Sequence, residues 1–114
     1  MLETQQHLIF SHAENSEIVA SIEIMRGVDD AEILNIETLP SHRRRGFAQN
    51  LLNQAFDWAR QNQRQAVWLE VRASNAGAIA LYGKMGFEQI RVRKHYYDNS
   101  GGHVEDALVM KYTL

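Results

Sequence analysis

The sequence predicts an α/β fold of the α+β kind. It consists of a mixed, mostly antiparallel sheet of about six strands and two principal helices, in the order β-β-β-α-β-α-β-β. Three observations carry this reading. Up to Pro40, the only proline, the best-patterned segments alternate apolar and polar residues, the period of half-buried strands. After Pro40 the apolar spacing becomes that of an amphipathic helix. An apolar run with strand character then separates that helix from a second one.

The elements follow in order. Gln6–His12 is short and apolar-centred and reads as a first strand. Glu17–Arg26 alternates, with Ile18, Ala20, Ile22 and Ile24 on one face and Glu17, Val19, Ser21, Glu23 and Met25 on the other. Gly27-Val28-Asp29-Asp30 is a turn, and Ala31–Leu39 completes an antiparallel meander. Ala48, Leu51, Leu52, Ala55, Phe56 and Ala59 then recur at i, i+3, i+4 and i+7. That helix begins near Arg45 or Gly46 and fades in the polar run Arg60–Gln65. Ala66–Val71 is apolar at five positions of six, which predicts a central strand buried on both faces. Asn75–Met85 is a second helix, with Asn75 placed as an N-cap and Gly86 as the C′ residue. Phe87–Arg93 is a strand, Tyr96–His103 a loop around Gly101-Gly102, and Glu105–Tyr112 the last strand.

With 114 residues, 45% of them hydrophobic, the chain is expected to form one domain over residues 1–114. The absence of cysteine excludes disulfides, thiolate metal sites and a cysteine nucleophile. The five histidines show no metal-ligand spacing, so no metal is expected. No apolar run approaches the ~20 residues of a membrane-spanning helix, and Met1–Gln6 has no signal-like character. A cytoplasmic protein is therefore expected, with no membrane partner. The net charge of −2 hides a division. Residues 1–40 carry eight acids and one base, and residues 41–114 six acids and eleven bases. The small total argues against direct nucleic-acid binding. The division suggests a basic part for an anionic ligand and an acidic part for a cationic one.

Four features bear on chemistry. Arg43-Arg44-Arg45-Gly46-Phe47-Ala48 lies between a strand end and a helix start, where backbone N–H groups and the helix dipole favour an anion. Basic residues there oppose the dipole, which strengthens the anion reading over a merely solvated surface. Glu70 sits near the C-terminal end of an apolar strand, where a carboxylate is costly unless solvated or paired. Tyr82 shares a helix face with Ala78 and Ile79, which also suits a core tyrosine. Asn75 is adequately explained by capping.

Together these pieces resemble the GNAT N-acetyltransferase superfamily. Arg43-x-x-Gly46-x-Ala48 is similar to its acetyl-CoA signature. The stretch Trp68-Leu-Glu-Val-Arg-Ala-Ser-Asn75, then Ala78-Ile-Ala-Leu-Tyr82 and Gly86-Phe87, resembles the RimI-type branch, whose enzymes acetylate the N-terminal alanine of ribosomal protein bS18. So does Arg91-Val-Arg-Lys-His-Tyr96-Tyr97, followed by Glu105-Asp106-Ala107. The resemblance spans about Ala31 to Met110. It implies a GNAT fold and acetyl-CoA as co-substrate. It further implies direct transfer to an amine, foremost a protein or peptide N-terminal α-amine. Backbone groups of Asn35–Thr38, which include Ile36, Glu37 and Thr38, would hold the acetyl and pantetheine portions. The segment Arg44–Gln49 (Arg44, Arg45, Gly46, Phe47, Ala48 and Gln49) would bind the pyrophosphate, with Arg43 opening the signature. Asn75 would contact the cofactor arm, Glu70 would be the general base and Tyr82 the general acid. Glu37 stands where RimI-type sequences carry a small residue, which makes it the second candidate base. Relatives of this type begin with a strand and one or two helices that wall the acceptor groove. Here the chain starts almost directly at the sheet, so a monomer and a homodimer that completes the wall both stay open. The alternatives are a CoA-binding partner subunit with weak catalysis and a small-amine acetyltransferase.

Overall fold

The computed structural model describes residues 6–99 and 103–114. Its elements are β1 (His7–Glu14), β2 (Glu17–Arg26), β3 (Ala31–Thr38), α1 (Phe47–Gln61), β4 (Ala66–Arg72), α2 (Ala76–Met85), β5 (Glu88–Asn99) and β6 (His103–Thr113), with a single 3-10 turn at Pro40–His42. The strands form one mixed six-stranded sheet in the order β1-β2-β3-β4-β6-β5. The predicted element order is the observed one. The residues group into two compact units, one up to Val67 together with Leu114, the other Trp68–Thr113.

In the first unit, β1 and β2 are joined by a two-residue turn. Asn15 and Ser16 both have positive φ (51° and 67°), the backbone that matches the twist of an antiparallel hairpin. This tight turn carries β1 on to Glu14, two residues past its predicted end. The predicted faces of β2 hold from Ala20 to Ile24 and fail at Ile18. His12 pairs with Ala20 and Ala13 with Ile18, so Val19 is an extra residue on β2. That bulge turns Val19 inward, where it is buried, and leaves Ile18 62% exposed. α1 packs on β2, with β1 and β3 at its flanks. It buries Leu51, Leu52, Ala55, Phe56 and Ala59, five of the six residues of the predicted stripe. Its end is tied down by Arg64, whose guanidinium donates to the carbonyls of Gly27 (2.8 Å) and Val28 (2.6 Å) in the β2–β3 turn. The polar run that ends the helix pattern is thus an anchor for that turn.

In the second unit, Leu69 and Val71 of β4 are buried, whereas Trp68 and Glu70, on the opposite face, are half-buried. Burial on both faces is therefore partial, and the more open face is the one that carries the carboxylate. The N-terminus of α2 is capped by Asn75, whose side-chain oxygen accepts from the Ala78 N–H at 3.2 Å. Its C-terminus closes at Gly86, with φ 107°, as the sequence predicts. A Cβ at Gly86 would lie 2.8 Å from Cε2 of Tyr112. Gly86→Ala is expected to lower unfolding free energy by about 2 kcal/mol, from left-handed strain plus overlap, read by urea denaturation. A loss no larger than that of an ordinary surface substitution would contradict this.

The strand β5 departs from prediction. It runs through Tyr96 to Asn99, and β6 begins at His103, so the predicted loop over Tyr96–His103 is strand at all of its described positions; residues 100–102 lie outside the described residues. Pairing is interrupted upstream instead. Gln89 pairs with Met110 and Arg91 with Val109, which leaves Ile90 as an extra residue. Arg93 pairs with Ala107 and Tyr97 with Glu105, so Lys94, His95 and Tyr96 together oppose Asp106 alone. His95 takes φ 54° there, and its N–H donates to the Asp106 carboxylate at 3.0 Å.

Candidate functional site

The segment expected to bind an anion lies in the first unit, at the end of β3 and the start of α1. Asn35–Thr38 pair with Glu23–Ala20 of β2. Just before them Leu34 is a bulge residue, since Asn35 pairs with Glu23 and Ile33 with Ile24. Ile36 and Thr38 are half-buried and Glu37 is exposed. Antiparallel pairing engages alternate backbone groups of a strand and turns the intervening ones to its other edge. Beyond β3, Arg43 is extended and its Nε donates to the Thr38 carbonyl at 3.3 Å. Arg44 and Gly46 then take positive φ, 63° and 83°. Left-handed residues at such spacing turn successive N–H groups into a concave anion-binding nest. The first helical hydrogen bond runs from the Asn50 N–H to the Gly46 carbonyl at 3.0 Å. The N–H groups of Phe47, Ala48 and Gln49 precede it and point out of the helix at the positive end of its dipole. A Cβ at Gly46 would meet nothing within 4 Å, so it is the backbone conformation that demands glycine there. These are the features a pyrophosphate group requires.

The three arginines are not equivalent. Arg45 donates twice to Glu14, at 3.2 and 3.0 Å, and lies 5.0 Å over the Phe47 ring. Glu14 also faces His42 Nε2 at 3.3 Å, and His12 stacks on Phe47 at 4.6 Å. The Arg45 side chain is therefore engaged within the protein, and its backbone is what it offers to the nest. Ser41 has its Oγ 2.7 Å from Nδ1 of His42. The acids of the first forty residues do not form one free block either, because Glu14 is paired as described and Glu23 faces His7 at 2.7 Å. The role of Glu14 was not read from the sequence. It stands 31 residues from Arg45, and no local spacing links them.

The chemical groups lie in the second unit. Glu70 projects from the half-open face of β4, its side chain 21% exposed, and its Oε1 accepts from Arg93 Nη1 at 2.6 Å. The Arg93 contact engages Oε1 and not Oε2. The hydrogen bond to Glu70 raises the Arg93 pKa above its ordinary range, so that guanidinium stays charged. Tyr82 on α2 is 6% exposed and packs edge-on against Phe87 at 5.8 Å. Burial raises the pKa of its phenol. Among the described residues, no side-chain nitrogen or oxygen is both fully buried and unbonded. Tyr82 is thus a core residue whose phenol stays protonated at neutral pH. Asn75 is exposed and occupied as a cap through its oxygen. The turn before it is held by Glu105, which accepts from the Ser74 N–H at 2.7 Å and pairs with Arg72 at 3.4 Å.

No helix among the described residues is long and apolar enough to cross a membrane. Residues 1–87 match the acetyltransferase (GNAT) family. The chain is 36% identical over 106 residues to the [ribosomal protein bS18]-alanine N-acetyltransferase of Escherichia coli K12, covering 93% of this chain and 71% of that protein. It is 34% identical to the Haemophilus influenzae enzyme of the same name, covering 93% and 72%. The crystal structure of the Escherichia coli ribosomal-protein-S18-alanine N-acetyltransferase superposes with a TM-score of 0.88 at 34% identity, over 97% of this chain and 71% of that one. GNAT enzymes use acetyl-CoA. The chain belongs to the GNAT acetyltransferase family, and within it is an N-acetyltransferase closely related to the RimI-type enzymes.

Proposed function

We propose that this chain transfers the acetyl group of acetyl-CoA directly to a protein N-terminal α-amine, with the N-terminal alanine of ribosomal protein bS18 as acceptor. It would act as a single acetyltransferase domain in the cytoplasm, where ribosomal proteins are made. The carrying observation is the 36% identity over 93% of the chain to an enzyme of that name.

The residues support this chemistry. The nest at Arg44–Gln49 would hold the pyrophosphate, with Arg43 completing the signature. Backbone groups of Ile36, Glu37 and Thr38 would hold the acetyl and pantetheine portions, and one such N–H would polarise the thioester carbonyl. Asn75 would meet the cofactor arm. The amine nitrogen attacks the carbonyl carbon, a C–N bond forms and the C–S bond breaks. Glu70 takes the amine proton, directly or through a water, and Tyr82 supplies the proton that the departing thiolate needs. An α-amine with pKa near 8 is roughly 10% neutral at pH 7, whereas a lysine is well under about 1%, so the base has less to do at a chain terminus. With no cysteine in the chain, no cysteinyl acyl-enzyme forms.

The test is acetylation of a panel read by mass spectrometry. The panel holds a peptide with the bS18 N-terminus, the same peptide with its α-amine blocked, and small-molecule amines. One acetyl group on the free α-amine, and none on the blocked peptide, is expected. Transfer only to small amines would overturn the acceptor. Calorimetric binding of acetyl-CoA without transfer to any acceptor would overturn the enzyme reading in favour of a binding subunit.

A further inference from the structure

Glu70 stands on β4 and Arg93 on β5, and β6 lies between these strands. Two strand spacings are about 10 Å, farther than most side chains bridge across a sheet. Nevertheless Arg93 Nη1 reaches Glu70 Oε1 at 2.6 Å. The register explains how. Arg93 pairs directly with Ala107 of β6, so the residue it must cross is a methyl group, and Ala107 is fully buried. The guanidinium is held from its other side as well, lying 3.8 Å over the Tyr96 ring. Tyr96 can take that place because Lys94–Tyr96 form the three-residue interruption opposite Asp106, fixed by the His95 N–H on the Asp106 carboxylate. The irregular stretch of β5 thus has a definite product, an arginine set between an aromatic face and one oxygen of a half-buried carboxylate.

We propose that Arg93 is a positioning residue for acetyl transfer. It holds Glu70 by Oε1 so that Oε2 faces the amine or its bridging water. The inference rests on the reading of Glu70 as the base. A carboxylate held by one oxygen loses the rotational freedom that would otherwise spread its proton-accepting oxygen over many directions.

The experiment is a double-mutant cycle on steady-state kinetics with acetyl-CoA and the bS18 N-terminal peptide, using Arg93→Ala, Arg93→Lys, Glu70→Gln and the double variants. Arg93→Ala is expected to lower kcat about tenfold, the equivalent of ~1.4 kcal/mol, with KM for acetyl-CoA unchanged. Arg93→Lys is expected to restore part of the loss, since an ammonium reaches the same oxygen without the fork. In the Glu70→Gln background, Arg93→Ala should cost little more. An unchanged kcat, a loss confined to KM, or equal losses in both backgrounds would overturn the proposal. If Glu70→Gln alone leaves turnover intact, the reading of the base has failed instead. If Arg93→Ala does not fold, by its thermal transition, Arg93→Lys and its cycle with Glu70→Gln decide the question.

Discussion

Glu70→Gln is expected to lower turnover by about 10²–10³-fold, with acetyl-CoA affinity changed by less than about twofold. Glutamine preserves the shape and can still accept from Arg93, but it cannot take the amine proton. The proposed pyrophosphate and pantetheine contacts are assigned to residues of β3 and of the α1 N-terminus and not to residue 70, so binding is expected to be spared. Thiol release gives the rate, and calorimetry with acetyl-CoA gives the affinity. Full activity in Glu70→Gln, together with loss in Glu37→Gln, would move the base to β3. Loss of affinity equal to the loss of rate would mean that Glu70 serves binding.

Tyr82→Phe is expected to lower turnover by about 10²-fold while the fold is kept. The ring contact to Phe87 survives in phenylalanine. The pH dependence follows from burial. The folded-state pKa of Tyr82 is raised above the ordinary 10.0 because the charged form is desolvated. The phenol is therefore fully protonated at neutral pH, as an acid for the thiolate must be. Its linkage contribution to stability is present below the unfolded value near 10 and is lost as pH rises through the folded pKa. Deprotonation of Tyr82 should thus produce no alkaline fall in rate below about pH 10. In Tyr82→Phe, the part of the alkaline loss of stability due to this group should vanish. An alkaline limb near neutral pH that disappears in Tyr82→Phe would show a phenol with the opposite shift and would defeat this role.

Much of the architecture was legible because strands and helices write their periods locally. The stripe of α1 appears as Ala48, Leu51, Leu52, Ala55, Phe56 and Ala59, and all but Ala48 are buried. Gly86 was legible because only a residue without Cβ ends a helix comfortably at positive φ. The failures share another cause. Alternation puts Ile18 inward because it assumes unbroken pairing, and the extra residue Val19 breaks it. The glycines predict a loop at Tyr96–His103, whereas pairing continues to Asn99 and the interruption falls at Lys94–Tyr96. A bulge depends on the partner strand, and a single strand's sequence carries little sign of it.

The same boundary divides the site. The sequence by itself determined the chemical inventory: a carboxylate on an apolar strand, a tyrosine on the following helix, and a glycine-bearing basic loop at a helix start. Each of these is a short-range pattern in which residue type and neighbours are enough. The tertiary structure decided how the groups are used. It spent the Arg45 guanidinium on Glu14 and left the nest to the backbone. It also gave Glu70 a fixed partner in Arg93, 23 residues away and two strands over. Both pairings join residues far apart in the chain, and that of Glu70 with Arg93 follows from strand order and register, which arise from long-range packing and have no counterpart in local spacing.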